Sequence, residues 1–186
     1  MIWMILGLIL WVGAHFYKRL APAGRAAMQE RFGETSKGIF AGVILLSVVL
    51  MVIGYRSSDF VLWYDLGGWT RHVNNLLMVI AVILFGLGSS KSRARKMMRH
   101  PMLTGMAVWA FAHLLVNGDR DSVILFGVLG LWSLVQMALI NNAEPGYRAY
   151  EGGSVKGDIR LLITSAVVFS VIAAIHIWLG KNPFVG

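Results

Sequence analysis

Cysteine is absent from the 186 residues, and charge is scarce, with Asp, Glu, Lys and Arg making up only 14% of them. The first absence removes disulfides, thiolate catalysis and Cys-ligated metal sites. The second sets the chain well below the ~25% charge of a soluble domain. No Ser–His–Asp set and no pair of carboxylates falls in the apolar stretches, so hydrolytic chemistry has no support. Acidic residues number nine against 17 basic ones, for a net charge of +8.

What the chain has in excess is apolar surface. It is 57% hydrophobic, with a mean hydropathy of +0.67. The apolar residues form blocks of membrane-spanning length rather than short periodic ones. They predict an all-α integral membrane bundle, one domain over residues 1–186, with six transmembrane helices. The expected spans are about Ile2–Arg19, Gly38–Tyr55, Arg71–Gly88, Pro101–Asn117, Ser122–Ile140 and Ile159–Leu179. Arg25–Phe32 reads as a short helix lying at the interface. Phe60, Trp63, Tyr64 and Trp69 favour the headgroup level. Lys18 and Arg19 follow the first span rather than precede it, the reverse of a signal peptide, so that span reads as uncleaved.

The basic residues sit in short loops, which points to topology and anionic lipid instead of nucleic acid. Lys18, Arg19, Arg25, Arg31 and Lys37 fall in one loop, Lys91, Arg93, Arg95, Lys96 and Arg99 in another, and Arg148, Lys156 and Arg160 in a third. All three loops lie on one face of a six-span bundle. The other face holds only Arg56, Arg71, Arg120 and Lys181. The positive-inside rule then puts both termini outside the cytoplasm, in the inner (cytoplasmic) membrane of the cell.

One stretch organises the rest: RHPMLTGMAVWAFAHLLVNGD, residues 99–119. Pro101 suits the first turn of a helix, and Asn117–Gly118–Asp119 stops it. A single ionisable residue, His113, interrupts the apolar run and requires a reason. Trp109 precedes it by four residues and Gly105 by eight; Gly7, Trp11 and His15 repeat that order in the first span. Residues four apart share a helix face. Such a stripe suits a flat aromatic cofactor, with glycine for close approach, indole for packing and imidazole for ligation. Two histidines from two helices can hold a six-coordinate haem iron. The competing reading is that Gly and Trp mediate helix packing while the histidines hydrogen-bond across helices. Depth gives a different pairing: His15 lies beside His100 at one face, and His113 beside His72 or His176 near the other.

The same stretch, with LILWVGAHFYKRLAP, GGWTRHVNNLLMVIAVIL and AIHIWLGKNPF, resembles the NnrU family over nearly the whole chain. Bacterial members are named for an association with nitrite and nitric oxide reduction in denitrifiers. The family includes the plant 15-cis-zeta-carotene isomerase, a membrane enzyme that uses haem b. The resemblance implies haem b, with His15 and His113 as axial ligands and Trp11, Trp109 and Gly105 around them. It also implies a lipophilic or small-molecule substrate, by isomerisation or redox chemistry, or an accessory role in denitrification. A shorter likeness runs to isoprenylcysteine and phospholipid methyltransferases, in RHP followed by a loop with Glu144, Tyr147, Tyr150 and Glu151. There the glutamate stands too close to the tyrosines, and Pro145, Gly152 and Gly153 favour a solvated connector.

Overall fold

A computed structural model describes residues 1–185. The helices are α1 (Ile2–Leu20), α2 (Pro22–Phe32), α3 (Thr35–Arg56), α4 (Thr70–Leu87), α5 (Pro101–Val116), α6 (Arg120–Ala143) and α7 (Val155–Trp178). A short 3-10 helix, Arg93–Met97, lies between α4 and α5. The described residues form no sheet; one isolated bridge pairs Leu62 with Asp119.

Four of these helices, α3, α4, α6 and α7, are each long and apolar enough to cross a membrane. α1 and α2 pass the same test together as a pair bent by 96°. α5 has 16 residues, about 24 Å of helix and short of the ~20 residues a bilayer needs. Length and apolarity therefore carry a multi-pass membrane protein; the count of six spans goes beyond them. α2 buries no residue, as expected of a helix lying at an interface.

The helices pack as an open arc in the order α3, α1, α6, α5, α4, α7. α7 packs mainly onto α4 and the 3-10 helix, and the arc stays open between α7 and α6. The α1–α3 contact is the tightest. A Cβ at Gly54 would overlap the backbone nitrogen of Met4, and one at Gly7 would lie 2.6 Å from the Ser47 carbonyl oxygen. Small residues bring transmembrane helices close where no hydrophobic force drives them together. Met4, Leu8, Met51 and Leu129 form the buried cluster there, and Trp11 and Trp109 pack against it.

Side chains cap three ends. Asp119 accepts from the Ser122 amide to start α6, Ser154 from the Gly157 amide to start α7, and Ser92 from the Ala94 amide to start the 3-10 helix. Pro101 opens α5, as its missing N–H allows.

Candidate functional site: a cleft between two histidines

The hollow of the arc is a cavity of about 1860 Å³. That exceeds the ~300–1000 Å³ of a typical small-molecule site. One face of α7 lines it from Arg160 to Leu179, through Leu161, Ser165, Val168, Phe169, Ile172 and His176. Opposite stand Asn74, Met78, Val82 and Phe85 of α4, Trp109 and His113 of α5, and Leu125 and Phe126 of α6. Charges mark its two ends. Lys91, Lys156 and Arg160 line one; Arg71, Lys181, Asp59, Asp65, Asp119 and Asp121 line the other, where the two histidines stand.

His113 and His176 are set in the same way. The Nδ1 of His113 lies 2.9 Å from the Trp109 carbonyl oxygen, and that of His176 lies 2.8 Å from the Ile172 carbonyl oxygen. A carbonyl only accepts, so each Nδ1 carries the proton and each Nε2 keeps its lone pair. A ligating histidine is held in this way. Phe126 stacks on the His113 ring at 4.5 Å and 28°, and Trp109 packs beside it at 4.9 Å. The ring is thus fixed by its own helix and by α6.

No group of three or more His, Cys, Asp or Glu gathers as a metal site among the described residues. Two lone-pair imidazoles suit a metal whose remaining donors come with it, as a porphyrin supplies them. The Oδ1 of Asn74, itself buried, has no hydrogen-bond partner and adds a polar acceptor to the same cavity.

The other candidates lie elsewhere. His15 also donates from Nδ1 to the carbonyl one turn back, Trp11, at 2.7 Å. Its ring sits between Trp11, at 4.4 Å, and Trp132, at 4.8 Å, and does not line the cavity. The indole N–H groups of Trp11 and Trp132 and the Oε1 of Gln136 are buried there without partners. His72 is exposed on α4. His100 caps α5 and pairs through Nε2 with Asn141 Oδ1 at 2.8 Å. It faces a second cavity of about 490 Å³, shared with Arg95, Arg99, Arg148, Tyr147 and Tyr150. Gly105 of the same stripe as His113 packs against α4. A Cβ there would stand 3.2 Å from the Ala81 carbonyl oxygen, so the glycine serves the α4–α5 contact.

The segment between α3 and α4 covers the histidine end. The amides of Trp63 and Tyr64 donate to the Gly118 carbonyl at 2.8 and 3.1 Å, and the Arg120 amide donates to the Val61 carbonyl at 2.8 Å. The Tyr64 hydroxyl donates to the Leu114 carbonyl, one residue past His113. Burial pushes the Tyr64 phenol above its ordinary pKa, and the charge of Asp119 adds to this. At the far end Asp158 accepts from Ser92 Oγ, the Arg93 amide and Arg93 Nε, which ties α7 to the 3-10 helix.

Phe126, Asn74 and Tyr64 are the site residues the sequence did not mark. Phe126 and Tyr64 come from elements whose placement beside α5 no local spacing encodes. Asn74 could have been found, because an amide inside an apolar run needs a partner.

The methyltransferase likeness finds little here. The Glu144 carboxylate is engaged by Arg19 at 2.7 Å, and Tyr147 and Tyr150 lie under Arg99 and Arg95 at 5.0 and 4.4 Å. No curated protein and no solved structure matches the chain. The family model described as NnrU protein matches residues 3–183, and the chain belongs to the NnrU family.

Proposed function

We propose that this NnrU protein crosses the membrane six times with both termini outside the cytoplasm, and that it binds haem b in the cleft with His113 and His176 as axial ligands. The observation that supports the reading most is the pair of lone-pair Nε2 atoms on one cavity. When bound, haem would supply a redox-active iron, held by His113 and His176. The chain's own residues do the rest. Trp109 and Ile172 carbonyls hold the two imidazoles in one tautomer, and Phe126 keeps the His113 ring from turning. Arg71 and Lys181 offer charge to the propionates at the same end. An opening between α7 and α6 that faced the bilayer would suit a lipophilic substrate, for isomerisation or redox chemistry.

An optical spectrum of the purified protein tests the proposal. The expected ferric form is low-spin and six-coordinate, with sharp α and β bands on reduction. His113→Ala should abolish stoichiometric haem, His176→Ala should leave a high-spin, five-coordinate species, and His15→Ala should change neither. If His15→Ala removes the low-spin signature and His176→Ala is silent, the ligands are those the family resemblance implies. Absence of haem from protein made with ample haem supply would overturn the reading.

A further inference from the structure

The cleft is too long for the histidine site alone. Sixteen residues of α7 separate Arg160 from His176, about 24 Å along the helix, and all of it lines the same cavity. The end away from the histidines has its own character. Lys91, Lys156 and Arg160 stand there, all exposed, none in a salt bridge among the described residues, and no carboxylate lines that end. Asp158, the acid nearest in sequence, is already committed to Arg93 and Ser92. One turn deeper come Thr164 and Ser165, whose hydroxyls make no hydrogen bond to the described residues. Beyond them the walls are Val82, Val168 and Phe169.

Cations, then hydroxyls, then hydrocarbon is the reverse template of a phospholipid: phosphate, ester carbonyls, acyl chain. We infer that this end of the cleft binds one anionic glycerophospholipid drawn from the leaflet that faces the basic loops. Its phosphate seats on Lys91, Lys156 and Arg160, its ester oxygens accept from Thr164 and Ser165, and one acyl chain runs along α7. Basic pockets between helices on a membrane's positive side hold anionic headgroups in this manner. A chain from one leaflet reaches half of a ~30 Å core, about 15 Å. It therefore stops short of His113 and His176, and lipid and haem occupy successive parts of one cleft. The lipid site stands whether or not haem binds. The acids at the opposite end, Asp59, Asp65, Asp119 and Asp121, oppose the inverted orientation.

Native mass spectrometry of the delipidated, full-length protein in detergent tests this, with phosphatidylglycerol and phosphatidylcholine of identical chains as probes. One phosphatidylglycerol should bind in preference, and added salt should weaken it. Each of Lys91→Gln, Lys156→Gln and Arg160→Gln should cost about fivefold in affinity. Removing three charges from the same face but outside the cleft, by Lys18→Gln, Lys37→Gln and Lys96→Gln, should leave the preferred adduct in place. The three single substitutions read the effect separately should their combination fail to fold. Equal binding of the two lipids, or the same loss from both charge sets, overturns the proposal.

Discussion

Tyr64 and Leu114 are joined by a hydrogen bond from phenol to backbone carbonyl, fifty positions apart in sequence. The contact fastens the segment between α3 and α4 to the helix that carries His113, one residue from the histidine itself.

Tyr64→Phe should remove that anchor at a cost of about 1 kcal/mol, since a hydrogen-bonded carbonyl loses its donor. Limited proteolysis should then cut within residues 57–69 sooner than in the parent. The same anchor has an alkaline limit. A phenol with its pKa raised above the ordinary value of 10.0 in the folded state stabilises the fold fully below that value and loses the contribution as pH climbs through the raised one. The segment should loosen only above pH 10, and Tyr64→Phe should erase that pH dependence.

Gly54→Ala should lower the melting temperature, because the added methyl meets the Met4 backbone and α1 must move off α3. Overpacking of this kind costs about 1–3 kcal/mol. Gly42→Ala, on the same helix with open space around it, should be neutral by comparison in a thermal scan in detergent.

The ion pair between Arg19 and Glu144 joins the end of α1 to the end of α6. Arg19's hydrogen bond, and then its charge, hold the Glu144 carboxyl below its ordinary pKa of 4.5. A depressed pKa contributes stability above the ordinary value and loses it as pH falls through the lowered one. Melting temperatures measured downward from pH 5 should therefore fall less steeply for Glu144→Gln than for the parent, and the two should run parallel near pH 7.

A reporter enzyme active only outside the cytoplasm, fused to the C-terminus, should be active. On the six-span reading, thirteen of the 17 basic residues lie at or between helix ends on the opposite face, which sets the expected orientation. A reporter that works only in the cytoplasm giving signal at that fusion point would overturn either the span count or the orientation.

The helices themselves were legible because apolar blocks of this length are unambiguous. α5 begins at Pro101 and ends within one residue of the expected Asn117. α7 begins four residues before the expected Ile159, at Val155. Gly157 looked like loop, yet a Cβ there would collide with the Lys91 carbonyl, so the helix needs a glycine at that point. The histidine stripes were legible as faces but not as pairs. Spacing of four places Trp11 with His15 and Trp109 with His113, which the ring contacts of 4.4 and 4.9 Å reproduce. Spacing says nothing of the neighbour. His15 meets Trp132 of α6, and His113 meets Phe126 of the same helix, nine Å or so further along its axis. His176 reached the cavity because α7 packs on α4, a relationship between elements far apart in sequence that no local pattern carries.

The attachment of α7 has a consequence for the order of assembly. Its docking rests on α4 and on the Asp158 node, while the helices from α1 to α6 hold one another without it. Such a last-joined element opens as its own cooperative unit, at a lower free energy than the whole molecule. Amides of α7 should then exchange with deuterium ahead of those in α1 and α6.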